Sequence, residues 1–153
     1  MEIENNTLEH LIVVSKVKKF IKEQQDLNVS QSFYQKLDDD IYKALEEAIE
    51  HAKKMNRKTL MGRDFSFYKE NPQFEEVLVV SSKIKRFVKE KAELSTSSQV
   101  MEQLTIRVRR ICLDAIESAV NDKRKTVLDR DFKIPTSHVL SARTIAENEN
   151  FSS

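Results

Sequence analysis

Arg57-Lys58-Thr59-Leu60-Met61-Gly62-Arg63-Asp64-Phe65 and Arg124-Lys125-Thr126-Val127-Leu128-Asp129-Arg130-Asp131-Phe132 stand 67 residues apart and are two copies of one segment. Working outward, the match runs without a gap back to Ser15 and Ser82, with 19 identities over the 51 aligned positions 15–65 and 82–132. A second block of identity, Ser-Lys-x-Lys-x-Phe-x-Lys-Glu, opens each copy and sets Phe20 on Phe87. Blocks conserved at one constant offset mark a duplicated structural unit and not a low-complexity run.

Inside each copy the apolar residues recur at helical spacing. Val13, Val17, Phe20 and Ile21 share one face of a medium-length helix, matched by Val80, Ile84, Phe87 and Val88. A polar loop follows at 25–30 and 92–97, carrying residues that favour a helix start. A long helix then puts Phe33, Leu37, Ile41, Ala44, Ala48, Ala52 and Met55 on one stripe, mirrored by Val100, Leu104, Val108, Ile111, Ala115 and Ala119. Thr59 and Thr126 are placed to cap a short third helix, with Asp129 completing a capping box in the second copy. The connector at 66–76, which contains Pro72, is predicted to extend the first copy's last helix before a turn. Beyond Pro135 one more helix is predicted around Val139, Leu140 and Ile145. A unit of this size cannot bury the long stripe alone, so the two copies are expected to pack face to face around one core.

The chain has 153 residues with a single Gly and two Pro, a composition that removes tight hairpins and glycine-rich phosphate loops and points to an all-α protein. Twenty-six basic side chains against 25 acidic ones give a net charge of +1, which neither demands nor excludes an anionic partner. The charge is unevenly divided: residues 1–76 hold 12 basic and 15 acidic groups, net −3, and residues 77–153 hold 14 and 10, net +4. One cysteine, Cys112, cannot form an internal disulfide and aligns with Leu45, which makes it a core residue. No run of apolar residues approaches membrane-spanning length and the N-terminus has no signal-peptide pattern, so a cytoplasmic protein is expected.

A medium helix, loop, long helix, loop and short helix that pairs with a second copy resembles the histone fold. The Arg-Lys-Thr…Asp pattern, at Arg57, Lys58, Thr59 and Asp64 and again at Arg124, Lys125, Thr126 and Asp131, is similar to the signature of archaeal histones. The likeness covers roughly residues 11–65 and 78–132, and the fused pair is similar to the doublet histones of some bacteria and archaea. It implies two tandem histone folds packed as an intramolecular pseudodimer. Residues 1–76 would form the first repeat with its connector and 77–153 the second with its tail. It also implies that Arg57 with Asp64, and Arg124 with Asp131, brace the second loops, while Lys58, Thr59, Lys125 and Thr126 face the phosphates of duplex DNA. The first loop of each unit would lie beside the second loop of the other, joining Lys58 and Thr59 to 95–98, and Lys125 and Thr126 to 28–32. Two departures stand out: the interval from Val29-Ser30 to Arg57 is about one helical turn shorter than in archaeal histones, and Asn28 and Ser95 replace the basic residue that usually precedes the Val-Ser of the first loop.

The function implied is binding of duplex DNA without sequence preference, by phosphate contacts, with bending or compaction of the duplex and a nucleoid-associated location. Lys16, Lys19, Lys83 and Arg86 on the first helices are further candidates for DNA contact, or equally a solvated basic face. The alternative is a histone-fold protein–protein module with little or no DNA binding, consistent with near-neutral charge. Phe65, Phe67, Tyr68 and Phe132 near the third helices are either core or a surface for self-association. The acidic run at Asp38, Asp39 and Asp40 is a solvated face, or else a complement to Arg107, Arg109 and Arg110 across the internal interface. His10, His51 and His138 lack partners at metal-ligand spacing, and Glu47 with His51 is an ordinary one-turn pair. No cofactor, small-molecule substrate, membrane association or enzymatic activity is expected.

Overall fold

The computed structural model describes residues 10–135, and it is mostly helical. Four α-helices carry the fold: α1 (Val14–Gln24), α2 (Gln31–Lys54), α3 (Ser81–Ala92) and α4 (Ser98–Asn121). The described residues also hold four two-residue strands, β1 (Asn28–Val29), β2 (Thr59–Leu60) and β3 (Ser95–Thr96) between the helices and β4 (Thr126–Val127) after the last of them. The predicted tail helix around Val139, Leu140 and Ile145 lies outside the described residues.

Both 24-residue helices, about 36 Å long, begin at serines. Ser30 Oγ accepts from the Phe33 N–H at 3.3 Å and Ser97 Oγ from the Gln99 N–H at 3.1 Å, satisfying amides that have no partner within the helix. Their apolar stripes are buried as the spacing requires, from Phe33 to Ala52 and from Val100 to Ala119. Met55 is the exception: at 57% exposed, it sits just past the last helical residue, where the stripe no longer faces the core. Both helices end in one motif. Asn56 and Lys123 adopt left-handed conformations at φ 57°, the N–H groups of Asn56 and Arg57 return to the carbonyls of Lys53 and Ala52, and those of Lys123 and Arg124 to Val120 and Ala119. This Schellman closure turns the chain sharply and delivers Arg57 and Arg124 to equivalent places directly after it.

The halves meet through bonds that map onto each other by a shift of 67. Strand β1 pairs in parallel with β4, and β2 with β3, so each short strand finds its partner in the other half. The Asn28 and Ser30 N–H groups donate to the carbonyls of Lys125 and Val127, as those of Ser95 and Ser97 do to Lys58 and Leu60, all within 2.9–3.0 Å. Ahead of α1 and α3, Ile12 and Val79 form an antiparallel bridge, flanked by Val13 N–H to Leu78 O at 2.8 Å and Val80 N–H to Leu11 O at 2.7 Å. One apolar cluster runs through both halves.

Three expectations fail here. The third helices are not α-helices but single 3-10 turns, Gly62–Asp64 and Asp129–Asp131. Thr59 and Thr126 cap neither turn, because their backbones are committed to β2 and β4; Met61 and Leu128 occupy the cap positions, and it is Asp64 and Asp131 that accept their N–H groups. The connector 66–76 continues no helix. The Tyr68 N–H returns to the Phe65 carbonyl at 3.1 Å and closes a turn at 65–68, in which Phe67 stacks on buried Phe65 with ring centroids 5.0 Å apart, a placement of residues two apart that helical spacing does not give. Gln103 holds this segment to α4, its Oε1 accepting from the Lys69 N–H at 2.9 Å and its Nε2 donating to the Lys69 carbonyl at 2.7 Å.

The acidic run divides between its two readings: only Asp39 is a solvated acid, Asp40 complements Arg107 across the internal interface, and Asp38 does neither. Asp38 is buried and its Oδ1 accepts the N–H groups of Leu11 and Ile12, at 2.9 and 3.2 Å, while Oδ2 meets His10 Nδ1. Thr105, at the equivalent position, accepts the Leu78 N–H at 3.1 Å. These side chains supply acceptors to the inward edge of each entry segment, where no strand can. Changing Asp38 to Ala is therefore expected to speed hydrogen exchange at the Leu11 and Ile12 amides by roughly tenfold or more, leaving the Leu78 amide as it is. Exchange read residue by residue checks this.

Candidate nucleic-acid interface

The parallel strand pairs build two ends of the same design. At one, Lys58 and Thr59 lie beside Ser95 and the N-terminus of α4; at the other, Lys125 and Thr126 lie beside Asn28 and the N-terminus of α2. Each lysine uses its carbonyl in the cross-half pairing and leaves its side chain exposed, and each threonine is half-buried. Lys22 approaches Asn28 Oδ1 and Asp26 Oδ1, both at 3.4 Å, adding a cation to the second end. Because each end takes one loop from each half, the −3 and +4 of the halves do not become one acidic end and one basic end. Exposed ammonium groups, amides at a helix N-terminus and hydroxyls within one end are the ligand set of a phosphate oxygen.

Behind each end sits a buried carboxylate. Arg124 Nη1 and Nη2 donate to Asp131 Oδ2 and Oδ1 at 3.0 and 2.7 Å, and Nη1 also reaches the Thr126 carbonyl at 2.9 Å. Asp131 accepts in addition from the Leu128 N–H and from Ser118 Oγ, each at 2.7 Å. Burial alone would push its carboxyl up, but the Arg124 hydrogen bonds, with those of Leu128 and Ser118, hold it down at about 2. In the first repeat Arg57 pairs with both oxygens of Asp64 and donates to the Thr59 carbonyl at 3.1 Å. The Met61 N–H donates to Asp64 at 2.7 Å and His51 Nδ1 at 2.8 Å. The same balance lowers the Asp64 carboxyl and raises the already high Arg57 guanidinium.

Sequence reasoning missed His51 and Ser118. They align 67 residues apart and give the same hydrogen bond with different chemistry, a signal available from the register of the repeat. His51 meets Asp64, not its one-turn neighbour Glu47, as its hydrogen-bond partner. Cys112 is fully buried, and burial pushes its thiol far up, so it is a packing residue without thiolate chemistry.

The first-helix cations are placed elsewhere. Lys16 pairs with Glu76 of the connector at 3.3 Å, and Lys16 and Lys19 line a shallow groove with Glu23, Glu75, Glu76 and Arg109. Lys83 Nζ lies 3.4 Å from the His10 carbonyl, and Arg86 is exposed on α3. Ion pairs this exposed are weak and exchange readily, so Lys16 stays available to a stronger anion. Arg109 donates to the Gln73 carbonyl at 2.8 Å and lies over the Phe20 ring, and Arg110 pairs with Asp114. Among the described residues no group of three or more His, Cys, Asp or Glu is placed to hold a metal, and no helix is long and apolar enough to cross a membrane.

No protein-family model and no curated protein matches this sequence. Among solved structures, the crystal structure of the histone from Methanopyrus kandleri superposes on 78% of this chain and 89% of its own length, at a TM-score of 0.53 and 18% sequence identity. The chain has a histone fold. At this identity the likeness concerns architecture alone.

Proposed function

We propose that this protein is a doublet histone that binds duplex DNA through phosphate contacts, without sequence preference, and bends or compacts it. Two histone-fold repeats, 1–76 and 77–153, would share one core as an intramolecular pseudodimer. The observation that supports this reading most is the cross-half pairing of β1 with β4 and β2 with β3, which assembles two polar ends of equal design, each with an exposed lysine beside a helix N-terminus. Lys58, Thr59, Lys125 and Thr126 would contact phosphate, Lys19, Arg86, Lys16 and Lys83 would extend the track, and Arg57, Asp64, Arg124 and Asp131 would hold the loops. The work is electrostatic and needs no cofactor. Nucleoid association follows from such binding.

Self-association through the third-helix region belongs to the same proposal, with Tyr68 43% exposed there and Phe132 half-buried, and α4 offers a second apolar surface. Phe65 and Phe67 are spent on packing, whereas Leu113 and Val120 on α4 are 40% and 42% exposed and align with the charged Glu46 and Lys53 of α2. An apolar strip on one long helix where its sister is charged is suited to contact with protein.

A mobility-shift titration over several duplex lengths and salt concentrations, with the mass of the complexes measured, tests the proposal. The expected result is tight binding at 50 mM salt that weakens by about 100-fold or more at 200 mM, with no preference between random sequences. Absence of duplex binding at low salt would leave the protein–protein module as the function of the fold.

A further inference from the structure

Asp40 and Arg107 occupy the same position of the two repeats, 67 residues apart, and they touch. Arg107 Nε donates to Asp40 Oδ2 at 2.6 Å and Nη2 to Oδ1 at 2.8 Å, a bidentate pair whose side chains are only 11% and 5% exposed. Phe67 covers the guanidinium, with its ring centroid 4.5 Å from Cζ. Equivalent positions that meet must lie on the axis exchanging the two halves. Any pairing of two such units therefore sets position 40 or 107 of one against 40 or 107 of the other.

The consequences differ sharply among pairings. Unlike units bring a carboxylate to a guanidinium. Two first units, from separate chains, would bury two carboxylates against each other, and two second units would bury two guanidiniums, with no neutralising partner in either case. Adjacent positions do not discriminate in this way: Leu37 and Leu104 are identical, Ile41 and Val108 are both apolar, and Asp38 and Thr105 each serve a backbone within their own half.

We infer that Asp40 and Arg107 form the pairing code of this protein: they select the unlike unit as partner and exclude like-with-like pairing between chains. The duplicated units thus keep one fixed partner, and the short connector supplies it at high local concentration. The inference rests on the paired-unit part of the proposed function and is independent of DNA binding.

Charge reversal tests it in the full chain. Asp40→Arg leaves arginine at both positions and Arg107→Asp leaves aspartate at both, so each variant alone should lose roughly 10 °C of Tm or fail to fold. The double variant Asp40→Arg/Arg107→Asp restores an unlike pair and should regain most of the wild-type Tm. Refolded together, the two single variants can satisfy every site only across chains. Native mass spectrometry should then show a 1:1 two-chain species at least tenfold more abundant than in wild-type protein refolded with a mass-tagged copy of itself. Single variants that keep the wild-type Tm overturn the code and the paired-unit reading together. Variants that lose stability but are rescued neither by the double reversal nor by mixing overturn the code alone.

Discussion

Reversing Lys58 and Lys125 to Glu in one chain is expected to weaken duplex binding about 100-fold at low salt and to reduce the slope of log affinity against log salt by about two. Both side chains are exposed, and both residues contribute to the fold through backbone atoms, their carbonyls accepting from Ser95 and Asn28 across the two halves. The substitutions therefore act on the surface potential at the two ends while β1 to β4 stay paired. Helicity should be unchanged and the stability should remain within about 0.5 kcal/mol of the parent, as for surface changes away from packed features. Because each end combines one loop from each half, the single reversals Lys58→Glu and Lys125→Glu should each cost a comparable factor, about tenfold. Binding to duplex followed by fluorescence anisotropy across salt checks all three variants. Unchanged affinity in the double variant would remove the two ends from the binding surface.

Asp131→Ala is expected to be the most damaging single change behind those ends, lowering stability by about 3 kcal/mol or more and Tm by roughly 6–12 °C. It strips the acceptor from Arg124, the Leu128 N–H and Ser118 Oγ together, at a carboxylate with only 1% of its side chain exposed. The loss should depend on pH with a definite sign. Asp131 titrates at about 2 in the fold, below its ordinary value near 4, so the native state holds the ionised form more firmly than the unfolded chain does. That contribution, about 2 to 3 kcal/mol, is complete above about pH 5 and disappears as pH falls through 4 towards 2. The stability gap between parent and variant should narrow over the same window. Asp64, whose carboxyl is lowered by the same arrangement around Arg57, adds acid sensitivity of the same sign. Denaturant titrations at pH 7, 4 and 2.5 measure the gap; one that stays constant would show that the charge of Asp131 does not carry the effect.

The 67-residue repeat and its period-3.6 stripes were enough to determine four helices, their order and their buried faces, because burial of an apolar face is a property of local spacing. The helix starts after the loops at 25–30 and 92–97 were legible for a similar reason, since caps are chemistry of adjacent residues, whereas the bracing roles of Arg57 and Arg124 came only from the likeness of their loops to archaeal histones. The third helices were misread on the same local grounds. Thr59 and Thr126 look like helix caps until a strand from the other half claims their backbones, and the chain turns at 65–68 where Phe65 enters the core and Phe67 covers Arg107. The acidic run shows the limit most plainly. Asp38, Asp39 and Asp40 are three identical side chains in succession, and helical rotation alone says only that they point in different directions. One serves the Leu11 and Ile12 amides, one faces solvent and one neutralises Arg107. Those roles depend on groups 26 to 67 residues away, and the energy of a charge is decided by what surrounds it. The sequence by itself determined a duplicated helical unit with a recurring basic loop. Only the tertiary structure decided which half completes each loop, and which carboxylate is bound to which arginine.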